Sequence, residues 1–78
     1  MSELQAVEID RIQRSIAGSR QEIRNIQRRI MRLRQSFHGP YNGPEWDSYM
    51  AALAPLERAL EDYRGYLSSD LATLREIA

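Results

Sequence analysis

Apolar residues recur at alternating intervals of three and four residues in two long segments of the chain. The first segment has Ile9, Ile12, Ile16, Ser19, Ile23, Ile26, Ile30, Leu33 and Phe37 at these positions, with Ser19 as the one polar member. The second has Trp46, Tyr49, Leu53, Leu56, Leu60, Tyr63 and Leu67, then either Asp70 or Leu71, then Leu74 and Ile77. Such spacing keeps one narrow face of a helix against a partner helix. It predicts an all-α fold, an antiparallel two-helix hairpin resembling a coiled coil.

The limits of both helices follow from residues that cap or interrupt a helix. Ser2 is suited to cap the first helix, which we expect over about residues 3–37. We expect a turn at 38–43, where Gly and Pro residues disfavour helix continuation. The second helix is expected over about 44–77. Pro55 lies inside it but off the apolar face, which favours a kink; a split into two helices is the alternative.

The position of the turn predicts which residues face each other. If the turn is centred between residues 41 and 42, facing residues have numbers that sum to about 83. The expected facing pairs include Phe37 with Trp46, Ile30 with Leu53, small Ser19 with large Tyr63, and Gly18 with Gly65. We interpret the last two pairs as places where small residues keep the packing of the hairpin even.

Composition restricts the chemistry of the chain. Its 78 residues are enough for one domain, and it has no cysteine and a single histidine, His38. No spacing of His, Asp or Glu resembles a metal site or a catalytic group, so we expect no catalytic, cofactor-binding or metal residues. The formal net charge of zero argues against a nucleic-acid partner. Without a membrane span or a cleaved signal peptide, we expect a cytoplasmic protein that, if exported, is exported without a leader.

The charge is divided unevenly between the predicted helices. Residues 1–39 carry eight arginines and four acids, a net charge of +4, whereas residues 40–78 carry three arginines and seven acids, a net charge of −4. The first helix has a basic surface formed by Arg24, Arg28 and Arg32, with Arg20, Arg29 and Arg34 nearby. Such a surface is able to bind phosphates, but we favour a solvated, salt-bridged helix face, neutralised by Glu57, Glu61 and Asp62 of the second helix.

Ala52, Ala59 and Tyr66 lie at heptad intervals beside the apolar face of the second helix. They widen that face beyond what the first helix covers, and a wide apolar face indicates a further partner. Isoleucine at both core positions of the first helix also favours assemblies of more than two helices. We therefore expect a protein partner here, either a second copy or another small helical protein, and assembly into a four-helix bundle.

Three short motifs resemble those of the WXG family, which type VII secretion systems export. Phe37-His38-Gly39 resembles the W-x-G signature with Phe in place of Trp; Trp46-Asp47-Ser48 is the alternative counterpart, with Ser in place of Gly. Tyr66-Leu67-Ser68-Ser69-Asp70 fits the Y-x-x-x-D/E export signal. The resemblance covers nearly the whole chain in layout and implies a non-enzymatic, WXG-like secreted substrate or partner. Tyr66 and Asp70, one helical turn apart, would then be recognised together; the alternative for Tyr66 is a packing role.

Two other functions stay open. Pro44-Glu45-Trp46 with Tyr49 resembles the start of the second helix in small chaperones of type III secretion needle subunits. That resemblance implies a hairpin that covers the apolar surface of a polymerising subunit before export. A third class is a phage-encoded inhibitor or virion component that binds one protein partner through its helical face.

Overall fold

The computed structural model describes residues 2–77, which form two long antiparallel helices joined by a short turn. Helix α1 spans Glu3–Ser36 and helix α2 spans Gly43–Ile77. They pack against each other, and no strand occurs within residues 2–77. The predicted all-α hairpin is therefore confirmed. The molecule is a rod of 59 × 15 × 13 Å, a single layer of two helices.

The first helix begins at a capping box formed by Ser2 and Gln5. The backbone N–H of Gln5 donates to Ser2 Oγ at 3.1 Å, and the backbone N–H of Ser2 donates to Gln5 Oε1 at 3.0 Å. These bonds satisfy donors that a helix start would otherwise leave unpaired. At the other end, α1 stops one residue before the expected limit, because Phe37 has the extended backbone angles φ −92° and ψ 118°.

The second helix begins at a glycine with a left-handed backbone. Gly43 has φ +86°, and Pro44 follows as the first residue suited to helical angles. The helix then continues as one element through Pro55. Proline removes the hydrogen bond to the carbonyl of Ala51, but both residues are exposed, so water can reach that carbonyl.

The core is a narrow strip between the helices. Its buried hydrophobic residues are Ile12, Ile16, Ile26, Ile30 and Leu53. Ile26, Ile30 and Leu53 form one cluster, against which Leu33, Tyr49, Leu56, Ala59, Leu60 and Tyr63 pack half-buried. Every described side chain keeps at least 2% of its surface exposed, because a single layer of two helices cannot enclose a side chain on all sides.

The small residues expected to keep the packing of the hairpin even, Ser19 and Gly18 of α1 and Gly65 of α2, differ in burial. Ser19 is buried at 6% exposure, as its place in the apolar pattern predicts. Gly18 and Gly65 are exposed, and a Cβ added at either would meet nothing within 4 Å. The expected role of a Gly18–Gly65 pair in even packing is therefore wrong. Both glycines lie off the packed face, where facing residue numbers alone do not produce contact.

Alanine substitution at two glycines should have opposite effects on stability. Gly65→Ala should raise the free energy of unfolding by about 0.5–1 kcal/mol, because alanine is the better helix former and its Cβ enters open space. Gly43→Ala should lower it by about 1–2 kcal/mol, because φ +86° strains any residue with a Cβ. Urea unfolding at one fixed protein concentration measures both. Changes of the same sign would contradict the assigned backbone of Gly43.

Candidate interaction surfaces

A shallow groove between the helices contains two of the residues predicted to bind a partner. We call it the Ala groove; it is lined by Arg29, Arg32, Leu33 and Ser36 of α1 and by Ala52, Pro55, Leu56 and Ala59 of α2. Leu33 and Leu56 are half-buried along its floor, whereas Ala52 is exposed. The α2 wall consists of small side chains, so another helix can approach this side closely.

Tyr66 extends the same side of α2 beyond the groove. It lies one heptad after Ala59 and is 57% exposed. Its ring meets the edge of Tyr63 in a T-shaped arrangement, with ring centroids 5.7 Å apart and planes at 84°. This contact fixes one side of the Tyr66 ring and leaves most of its surface accessible to a partner.

Asp70 faces the first helix. Its side chain is half-buried, and Oδ2 accepts a hydrogen bond from Ser15 Oγ at 2.7 Å. A short bond to a carboxylate of this kind is one of the stronger types of hydrogen bond. Tyr66 and Asp70 therefore differ in accessibility and do not form one exposed patch. Leu71, the alternative apolar-face residue, is half-buried as well.

The opposite face of the hairpin has long polar and charged walls. It is lined by Gln27, Ile30, Met31, Arg34 and Gln35 of α1 and by Glu57, Leu60, Glu61 and Arg64 of α2. Arg34 Nη2 and Glu57 Oε1 are 3.9 Å apart, and both side chains are more than half exposed. An ion pair this long and this exposed contributes little to stability.

Arg24, Arg28 and Arg32, the basic surface of α1, are exposed. Within residues 2–77, none of the three lies within 4.0 Å of a carboxylate oxygen, and Arg34–Glu57 is the one ion pair between helices. The expectation of a face salt-bridged to α2 is therefore wrong for these three arginines. Their side chains are exposed to solvent and, within residues 2–77, are not paired with the acids of α2.

Aromatic residues close the turn end of the hairpin. Phe37 stacks on Tyr49, with centroids 4.5 Å apart and planes at 22°, and its centroid lies 5.6 Å from that of Trp46. Tyr41, 80% exposed, meets the edge of Trp46 at 5.5 Å. A Cβ on Gly39 would lie 3.0 Å from a Glu45 carboxylate oxygen and 3.5 Å from the Phe37 ring. The turn thus brings together Phe37, Gly39 and Trp46, the three residues singled out in the sequence.

Three further features of residues 2–77 bear on function: metal-binding clusters, membrane-spanning helices and buried polar atoms. This part of the chain contains no group of three or more His, Asp or Glu residues placed to hold a metal ion. Neither α1 nor α2, as described, is long and apolar enough to cross a membrane. Its buried side-chain nitrogen and oxygen atoms all have hydrogen-bond partners.

Comparison with known proteins finds no matching family model, no similar curated protein and no similar solved structure.

Proposed function

We propose that this hairpin is a non-enzymatic protein–protein interaction module that binds a helical partner along the Ala groove. The observation that carries the proposal is the unfilled space over Leu33 and Leu56, beside the small side chains of Ala52 and Ala59. A partner helix would remove this apolar surface from water, at about 25 cal/mol for each Å² buried. The half-buried leucines on the floor and the polar rim of Arg29, Arg32 and Ser36 give the groove the anatomy of a protein interface.

More specifically, we propose a WXG-like substrate or partner of a type VII secretion system. Two features support this assignment. Tyr66 is exposed on α2, one helical turn before Asp70, where a recognition protein can reach its ring. The turn also places the Phe37 ring 3.5 Å from where a Cβ at Gly39 would stand, which supports the resemblance of this segment to a W-x-G signature.

Secretion from the native host tests this proposal. Tyr66→Ala should reduce the protein in the culture medium by about tenfold or more, since an exposed aromatic anchor often dominates recognition. Asp70→Ala should do the same, because the half-buried carboxylate of Asp70 keeps part of its surface accessible beside its bond from Ser15. Immunoblotting of medium and cells, with a cytoplasmic protein as a lysis marker, measures the effect. Wild-type protein that stays in the cell, or a Tyr66→Ala variant secreted at the wild-type level, contradicts the secretion proposal.

Ser15→Ala is the matched control for Asp70. It removes the hydrogen-bond donor and leaves the carboxylate in place. If a recognition protein reads Asp70, Ser15→Ala should be secreted normally. If Asp70→Ala acts by loosening the hairpin, Ser15→Ala should impair secretion in step with its effect on thermal unfolding, and the role of Asp70 in recognition is then excluded.

The Ala groove also supports a second candidate, a chaperone of a type III secretion needle subunit. Its open length beside Leu33 and Leu56 would accept an amphipathic helix of a subunit before export. Co-purification with a needle subunit from the native host, lost in an Ala52→Glu variant that retains its helicity, would favour this candidate over the first.

A further inference from the structure

Four arginines of α1 follow one another at intervals of four residues. They are Arg20, Arg24, Arg28 and Arg32, all of them exposed, and we call them the Arg ridge. An α-helix rises about 1.5 Å for each residue, so the ridge is about 18 Å long, with about 6 Å along the axis between neighbouring members. Residues four apart share one side of a helix. The ridge is therefore one continuous row of positive charge.

Arg28 lies on the outward side of α1. It is two residues from buried Ile26 and two from buried Ile30, and two residues correspond to a rotation of about 200° around the helix. Arg28 therefore lies across the helix from the packed strip. Arg24 and Arg28 line neither the Ala groove nor the groove on the opposite face. The middle of the ridge is thus separate from both grooves.

The ridge destabilises the free hairpin. Like charges at intervals of four residues on a helix repel each other. Within residues 2–77, no ridge arginine lies within 4.0 Å of a carboxylate oxygen, so no ion pair offsets the repulsion. Between residues 11 and 37 of the sequence, Glu22 is the one acid. Local rules of this kind are most often broken at functional sites, where a partner supplies what the fold does not.

The zero net charge of the whole chain does not cancel the ridge locally. The compensating acids belong mostly to α2. Packed helix axes lie about 8–10 Å apart, and charges further apart than about 8 Å are largely screened in physiological salt. A partner that approaches the outward side of α1 therefore meets mainly the arginines. The net charge does not exclude a nucleic-acid partner on this side.

The residues beside the arginines indicate the kind of polyanion. Gln13, Gln21 and Gln35 share the outward side of α1 and are exposed. Among the exposed residues from 13 to 35, Met31 alone is large and apolar, whereas a helix that lies on a membrane inserts several such side chains. This range has no aromatic residue, and single-stranded nucleic acids are held largely by stacking on aromatic rings. Both observations favour a double-stranded nucleic acid.

B-form DNA fits the ridge better than double-stranded RNA does. The major groove of DNA is about 12 Å wide and admits one α-helix. Arginine side chains bind phosphate oxygens with two parallel hydrogen bonds, and glutamine amides bind phosphates or base edges. The major groove of RNA is too narrow for side chains to enter.

We propose that the outward side of α1 binds double-stranded DNA, with the Arg ridge on the phosphates that border the major groove. Binding requires no particular base sequence, because phosphate contacts carry no sequence information. This role goes beyond the interaction proposed for the Ala groove, which lies between the helices.

Fluorescence anisotropy of a labelled DNA duplex tests the proposal. The wild-type hairpin should bind with a Kd of about 100 μM or tighter at about 0.1 M salt. Four phosphate contacts predict a slope of about −3.6 when the logarithm of the association constant is plotted against the logarithm of the salt concentration. Absence of binding at this protein concentration, or a slope near zero, overturns the inference.

Arg28→Glu should weaken binding by about tenfold or more, because it replaces a phosphate contact by repulsion. Its matched control is Arg58→Glu on α2, an exposed position at which the net charge changes by the same amount. This variant should bind within about threefold of wild type, since charges outside the contact are screened. Equal losses would show that net charge and not the ridge attracts the DNA, and would overturn the inference.

The melting temperature of free Arg28→Glu separates lost binding from lost structure. A glutamate at this position turns two repelling pairs, with Arg24 and with Arg32, into attractive ones. The melting temperature should therefore rise while DNA binding falls. A lower melting temperature would show that the ridge carries no repulsion in the free hairpin, and would overturn the inference.

Vesicles that contain phosphatidylglycerol and a single strand of the same length as the duplex complete the test. Tighter binding to either than to the duplex overturns the choice of double-stranded DNA. The secretion and co-purification assays decide the proposed function separately. A chain whose secretion depends on Tyr66 but that does not bind DNA overturns this inference and supports the function. A chain that binds DNA through Arg28 and never leaves the cell does the reverse.

Discussion

Replacing Ile30 with alanine is expected to lower the free energy of unfolding by about 2–5 kcal/mol. Ile30 is 7% exposed and belongs to a buried cluster with Ile26 and Leu53, so the truncation leaves a cavity that a rigid helix pair cannot fully close. Urea unfolding at one fixed protein concentration measures the change, because assembly makes stability depend on concentration.

Met31 supplies the control, because it adjoins Ile30 on the same helix and is 59% exposed. Met31→Ala should change stability by less than about 0.5 kcal/mol. Ile23 and Leu60 are half-buried, so their alanine variants should fall at the low end of the core range. Equal effects at Ile30 and Met31 would mean that the packed face of α1 has been assigned wrongly.

The apolar periodicity was sufficient to predict the helices and their packed faces. Spacing of three and four residues fixes a helix and one of its sides at once, so even polar Ser19 could be placed in the core from its position in the pattern. The same spacing located Ala52 and Ala59 beside that face, where they line the Ala groove. Sequence predicts such features well because they depend on local geometry alone.

Features that depend on the angular position of a residue on both helices were harder to predict. The rule that facing residues have numbers summing to about 83 placed Gly18 opposite Gly65. Both glycines lie off the packed face, and a Cβ added at either would meet nothing within 4 Å. Counting charges suggested salt bridges between the helices, but a count of charges does not tell which way each side chain points. Arg28 is exposed, and the ion pair that forms between the helices is Arg34–Glu57. The bond between Ser15 and Asp70 joins residues 55 positions apart, so it required the exact register of the hairpin.

The turn has one feature that the sequence predicts and one that it does not. Glycine and proline predicted a chain reversal, because each disfavours helix continuation in a known way. The arrangement of four rings around it depends on where Phe37 leaves the helical path. Its extended backbone directs the ring onto Tyr49 and Trp46. The exposed ring of Tyr41 joins them from the loop, and the sequence signal for this was an aromatic residue inside a turn.

Replacing Phe37 with alanine should lower the free energy of unfolding by about 3 kcal/mol, because its ring contacts the rings of Tyr41, Trp46 and Tyr49 and joins the end of α1 to the start of α2. The chain has one tryptophan, so its fluorescence reports on this cluster directly. Loss of the Phe37 ring admits water to Trp46 and should shift its emission to longer wavelength.

Tyr41→Ala is the matched control, because it removes a ring that is 80% exposed and leaves the stack of Phe37 on Tyr49 intact. Tyr41→Ala should lower the free energy of unfolding by less than about 1 kcal/mol. If Tyr41→Ala destabilises the hairpin as much as Phe37→Ala, the ring packing is centred on the loop and not on the end of α1. The resemblance of Phe37 and Gly39 to a W-x-G signature would then lose its structural support, since that signature joins a helix end to its turn.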